Sequence, residues 1–135
     1  MKQTTISLQT DGRGVYDVSR HVQDFVAESS VLTGLCNVFI RHTSASLMIC
    51  ENADPDVMRD LETFLSRIAP DGDPANTHVA EGPDDMPAHI RSVLTQTALC
   101  LPITDGSCGL GTWQGVYLYE HRHASHGREL ILTAF

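Results

Sequence analysis

The sequence predicts an α+β fold with antiparallel sheets. Two observations carry this reading. Roughly six or seven segments have strand character against about three with helical spacing. No internal repeat or Gly-rich phosphate loop signals a repeat array or a nucleotide-binding architecture. With 135 residues, the chain suits one domain spanning residues 1–135 and is too short for two of ordinary size.

Residues Thr4 to Thr10 alternate, with Ile6 and Leu8 on one face, and predict a strand; Asp11-Gly12-Arg13-Gly14 then turns the chain. Behind Asp17 the period changes. Val18, Val22, Phe25 and Val26 share a helical face, so residues 18–29 read as a helix, with His21 on its solvated side. From Leu35 to His42 the residues Cys36, Val38, Ile40 and His42 alternate onto one face. Thr43-Ser44 breaks the run, and Ala45, Leu47, Ile49 and Glu51 make a second row. Both rows end in an ionisable group. A sheet edge meeting water explains each one singly, while two in consecutive strands also suit a polar pocket. Asp54 as N-cap and Pro55 at the first helical position open a helix in which Val57, Met58, Leu61, Phe64, Leu65 and Ile68 recur as core packing, and Pro70 stops it.

After a polar loop over 71–77, the stretch from His78 to Arg91 gathers two His, three carboxylates and an Arg around one helix start. Asp84 or Asp85 can accept the free N–H groups of the first turn, and Pro87 suits a position where no donor is lost. The helix would turn Met86, Ile90, Val93 and Leu94 to the core, with His89 on the flank of that side and looking inward. Glu81-Gly82-Pro83 cannot extend a helix, so His78 and Glu81 lie on a loop folded over the helix N-terminus. That arrangement suits a metal ion or a phosphate; a well-made cap explains the same residues without either.

Thr97 to Thr104 predicts a strand closed by Asp105-Gly106. In the next strand Gln114, Val116, Leu118, Glu120 and Arg122 share one face, and Trp113, Tyr117, Tyr119 and His121 share the other, so both faces are partly covered. Gly111 and Gly115 leave room for a close backbone or ligand approach, or mark a bulge. His123 and His126 read as solvated loop residues, and Arg128 to Phe135 as the closing strand.

Composition excludes several classes. The formal net charge of −8 argues against a general nucleic-acid surface, which needs clustered positive charge. No apolar run approaches the roughly 20 residues of a membrane span. The N-terminus alternates like a strand and lacks the apolar stretch of a signal peptide, so the cytoplasm is the expected location. Cys36, Cys50, Cys100 and Cys108 form no CxxC pair and read as small buried thiols.

Four motifs resemble the YjbQ family, also called the secondary thiamine-phosphate synthase family. They are His42-Thr43-Ser44-Ala45-Ser46; Glu51-Asn52-Ala53-Asp54-Pro55-Asp56-Val57; His78 with Glu81-Gly82-Pro83-Asp84-Asp85-Met86-Pro87-Ala88-His89-Ile90; and Leu110-Gly111-Thr112-Trp113-Gln114-Gly115 with Glu120-His121-Arg122. They run in the same order over essentially the whole chain. The resemblance implies a β-sandwich-like core, a homotrimer, and a weak synthase activity joining a pyrimidine-methyl pyrophosphate to a thiazole phosphate. The partner implied is a small phosphorylated metabolite, with no nucleic acid and no membrane.

Departure of pyrophosphate develops negative charge, which a divalent metal and Arg side chains can stabilise. On this footing His42, His78 and His89 are the expected metal ligands, and three imidazoles favour zinc, with magnesium the alternative for a pyrophosphate substrate. His42, Glu51, Glu81, Arg91, Glu120 and His121 are the expected catalytic residues, and Arg41, Arg91 or Arg122 would meet phosphate oxygens. A metal-dependent hydrolase and a non-enzymatic trimeric metal- or metabolite-binding protein are the alternatives.

Overall fold

The computed structural model describes residues 1–135 and contains eight strands and three helices in one α+β arrangement. In chain order these are β1 (Lys2–Gln9), β2 (Gly14–Asp17), α1 (Ser19–Ser29), β3 (Thr33–Ile40), β4 (Ala45–Glu51), α2 (Pro55–Ile68), α3 (Asp85–Leu94), β5 (Ala98–Thr104), β6 (Ser107–Cys108), β7 (Gln114–Glu120) and β8 (Gly127–Ala134). Every ladder is antiparallel. One sheet runs β1-β8-β3-β5-β6 and the other β2-β7-β4.

Both sheets feed one apolar core. Strand alternation sets its membership: Leu99, Leu101 and Ile103 of β5 are buried while Ala98, Cys100, Pro102 and Thr104 are exposed. Cys36, Val38 and Ile40 of β3 and Leu130, Leu132 and Ala134 of β8 do the same. Val116 and Leu118 of β7 and Ala45 and Leu47 of β4 come from the other sheet. Helix α1 closes the core with Val22, Phe25 and Val26, together with Val18 at its N-cap, the four residues the spacing predicts, each worth roughly 1.5–3 kcal/mol when removed from water. Asp17 accepts the Ser19 N–H at 2.8 Å, relieving one of the free donors at the helix start.

The other two helices depart from their predicted faces. On α2 only Leu65 is buried, while Phe64 and Ile68 are 57% and 45% exposed, so its apolar row is not core packing. The helix turns Glu62 inward instead, where Arg91 and Tyr119 hold it. On α3 the buried flank is Pro87, Ala88, Arg91 and Ser92, and Val93 and Leu94 face solvent. The pull of Glu62 on Arg91 explains the rotation: both carboxylate oxygens lie 3.0 Å from Nη1 of a fully buried guanidinium. Of the cysteines only Cys36 is fully buried, its thiol pushed up to about 12 by burial and by the neighbouring Cys108 and Cys100; Cys100 is exposed. No helix is long and apolar enough to cross a membrane.

A candidate metal centre at the start of the third helix

The loop before α3 folds back so that two imidazoles and a carboxylate converge. His78 Nε2 lies 2.7 Å and His89 Nε2 3.2 Å from the same oxygen, Oδ2 of Asp85, and the ring centroids are 5.4 Å apart. Asp85 is 2% exposed, whereas His78 and His89 are 45% and 31% exposed, so a charged floor carries two imidazoles that reach solvent. His89 stands one turn after Asp85 on α3, the spacing that brings side chains together on a helix face.

Asp84 holds the N-cap position, but neither aspartate side chain caps the helix. Asp84 accepts from Arg122 Nε at 3.1 Å and from the His123 N–H at 2.8 Å, and Arg122 Nη1 donates to Asp85 Oδ1 at 2.6 Å. The third donor of Arg122 goes to the Glu81 carbonyl at 2.9 Å, pinning the loop. Burial opposes ionisation of Asp85, but the His78 hydrogen bond and the charges of His89 and Arg122 outweigh it and hold the carboxyl below the usual range. The same contest has the same outcome at Asp84, where the His123 N–H and Arg122 prevail over burial.

The tautomer of His89 follows from its other neighbour. Nδ1 lies 2.9 Å from the Thr43 carbonyl, which has no proton to give, so Nδ1 carries the hydrogen and donates it. A neutral His89 therefore presents a bare Nε2 lone pair to the carboxylate oxygen of Asp85. Two acceptors at 3.2 Å repel each other unless the imidazole is protonated or a cation is shared between them. An imidazole anchored to a carbonyl through one nitrogen and free at the other is also how metal-binding histidines are oriented. His78, Asp85 and His89 offer ligand atoms all within 4.8 Å of one another, which fits a divalent ion with two nitrogen ligands and one oxygen.

The structure distributes the remaining sequence-predicted residues elsewhere. His42 lies outside this group of ligand atoms. Its Nε2 accepts the Glu129 N–H at 2.9 Å, and burial followed by the Arg128 charge lowers its pKa, keeping it a neutral acceptor. Glu81 contributes its carbonyl to Arg122, and its exposed side chain reaches the Asp85 carboxyl. Arg91, Glu120 and His121 are fully buried and cannot touch a substrate. Glu120 is a structural anion, bound by Arg128 at 2.6 and 2.7 Å and by Thr10 Oγ1 at 2.9 Å. Arg128 also holds Ser44 Oγ at 2.9 Å, next to the carbonyl of Thr43 that orients His89. His121 faces Ser46 Oγ at 2.8 Å, and burial followed by the Arg91 charge lowers its pKa to about 3. Glu51 lines a separate cleft with Arg13, Tyr117 and His123. Of the three candidate ligands, Asp85 is the one that the sequence does not single out, because an aspartate at a helix start is ordinarily a cap.

Comparison with known proteins gives one answer. The UPF0047 protein YjbQ-like family matches residues 4–135. The UPF0047 protein sll1880 of Synechocystis sp. is 51% identical over 130 residues, 96% of this chain and 88% of that protein. The UPF0047 protein YjbQ of Escherichia coli O157:H7 is 41% identical over 132 residues, 97% and 95% of the two chains. The crystal structure of the conserved hypothetical protein TT1486 from Thermus thermophilus has the same fold, with a TM-score of 0.86 at 33% identity over 98% of this chain and 99% of that one. With the match spanning every element from β1 to β8, this chain belongs to the UPF0047, YjbQ-like family.

Proposed function

We propose that this protein is a zinc-dependent enzyme acting on a small phosphorylated metabolite, and that its reaction is a weak, pyrophosphate-displacing synthesis of thiamine phosphate. One observation supports the metal most directly: His89 donates through Nδ1 to Thr43 and faces Asp85 with its free Nε2. His78, Asp85 and His89 would hold the ion, whose positive charge would offset the charge developing on departing pyrophosphate. Arg122 fixes Asp85 and the 81–85 loop, with each of its three nitrogens hydrogen-bonded there. Arg41 is 54% exposed and meets only Glu129, so it keeps donors free for phosphate oxygens, two residues from the carbonyl that orients His89.

The same ligand set also suits a hydrolase, because two half-exposed imidazoles leave an open side for water. One experiment separates the readings. Purified protein receives the pyrimidine-methyl pyrophosphate and the thiazole phosphate singly and then together. A synthase forms thiamine phosphate only from the pair, and His89→Ala lowers the rate by about 10- to 100-fold through lost metal. Phosphate release from one substrate alone points to the hydrolase. Equal product from wild type and variant rejects both enzyme readings and leaves a metal- or metabolite-binding protein. The homotrimer belongs to the same proposal, motivated by the surplus of exposed apolar side chains, among them Phe39, Phe64, Trp113 and Phe135.

A further inference from the structure

We infer that the buried Glu120–Arg128 ion pair is the positioning device of the imidazole and carboxylate cluster. Through Ser44 and Thr43 it sets which nitrogen of His89 faces Asp85, and through Arg122 it holds Asp85 in place. Arg128 Nη2 and Nε lie 2.6 and 2.7 Å from the two carboxylate oxygens of Glu120, and the side chains are 4% and 0% exposed. Both charges lose their hydration there, so such a pair contributes little stability beyond what well-packed apolar side chains would give. Its placement gives it another use. Glu120 ends β7 of the three-stranded sheet and Arg128 stands near the start of β8 in the five-stranded one, so the pair ties the two sheets together.

The connection that carries the Thr43 carbonyl crosses between the same two sheets, since residues 41–44 lead from β3 to β4. That carbonyl accepts from His89 alone, but the residues on either side of it are pinned. Before it, the Arg41 N–H donates to the Glu129 carbonyl at 3.2 Å, and His42 Nε2 accepts the Glu129 N–H at 2.9 Å. After it, Arg128 Nη2 donates to Ser44 Oγ at 2.9 Å and to the Ser44 carbonyl at 3.3 Å, where the His121 N–H also donates at 3.3 Å. Glu120 serves the other side of the cluster. Its Oε1 accepts the Arg122 N–H at 3.1 Å, and Arg122 Nη1 donates to Asp85 Oδ1 at 2.6 Å. One ion pair therefore supports both partners of the 3.2 Å contact between His89 Nε2 and Asp85 Oδ2.

The consequence is a choice of tautomer. Neutral His89 lies between two acceptors, the Thr43 carbonyl and Asp85 Oδ2, with one ring proton for them. A fixed Thr43 carbonyl draws that proton to Nδ1 and leaves the Nε2 lone pair for a cation. A loosened turn lets the proton move to Nε2 and donate to Asp85, which blocks the ligand atom. The inference deepens the proposed metal site and rests on it for the zinc measurement alone.

Nitrogen NMR of the His89 ring in the metal-free protein at alkaline pH reads the tautomer, and competition with a chromophoric chelator reads zinc affinity. Wild type is expected in the Nδ1–H form. Ser44→Ala deletes only a half-buried hydroxyl, and Arg128→Lys keeps the charge but loses the planar fork that spans Glu120 and Ser44. Both should populate the Nε2–H form and weaken zinc about tenfold. Val22→Ala, a core truncation on α1, loosens the fold without touching the turn and should change neither readout. Ser44→Ala alone decides where Arg128→Lys does not fold. A wild type in the Nε2–H form, an unchanged tautomer in Ser44→Ala, zinc affinity unmoved by a tautomer shift, or an equal shift in Val22→Ala overturns the assignment. A tautomer shift in the Ser44 and Arg128 variants, with no zinc bound even by wild type, supports the positioning role and sinks only the metal reading.

Discussion

At the residue scale the chain's charged groups behave according to what they can reach. Arg91 is fully buried and Glu62 is 35% exposed, so the two ends of one ion pair are not equivalent. Glu62→Gln strands a cation in the interior and should cost about 3–5 kcal/mol. Arg91→Met leaves a carboxylate that water and Tyr119 can still serve, and should cost roughly 1–3 kcal/mol. Urea unfolding of the two variants checks the order, and a larger loss for Arg91→Met would contradict it. His78 and His89 are legible as site residues because both flank a helix start where loop and dipole gather charge. Asp85 and the Thr43 carbonyl are not. Asp85 looks like a cap, and a backbone carbonyl leaves no mark in the sequence; Arg91, expected at the site, is instead fully buried, which is rare for an arginine.

At the scale of elements, period suffices where one face meets the core and fails where a polar contact rotates the element. Strand β3 and helix α1 bury the rows their spacing predicts, and β5 and β8 are strands where the sequence places them. The sequence reads Asp11-Gly12-Arg13-Gly14 as a turn and shows no strand β2 after it; in the structure Gly14 opens β2, both glycines have positive φ, and at Gly12 a Cβ would meet the His123 carbonyl at 2.6 Å. That close approach sets Arg13 against the His121 carbonyl, a pairing distant in sequence. On α2 and α3 the Glu62–Arg91 pair decides which faces turn inward, and no hydrophobic count reports it. Leu65→Ala, deleting the buried residue of α2, should therefore cost about 2–3 kcal/mol. Val93→Ser on the exposed side of α3 should stay within about 0.5 kcal/mol. Equal losses in a thermal melt would mean that α3 packs as its periodicity suggests.

For the whole molecule, pH and assembly give two further expectations. His121 is held neutral with a pKa near 3, while in the unfolded chain it returns to roughly 6.5. The unfolded state then binds the extra proton between those values, so the stabilisation is complete above about pH 6.5 and is lost as pH falls towards 3. Replacing it in His121→Gln should flatten that part of the stability profile; an unchanged slope would show that His121 does not titrate on unfolding. Sedimentation should give three times the 14.8 kDa protomer, and a monomer at micromolar concentration would contradict the trimer. In the proposed function the Thr43 turn, the 78–85 loop and α3 meet around a metal ion, and elemental analysis of protein purified without a His tag measures its presence. About one equivalent of zinc per protomer is expected in the wild type, falling at least tenfold in His89→Ala with the fold retained. Less than a tenth of an equivalent in the wild type, or the same metal content in His89→Ala, would contradict it.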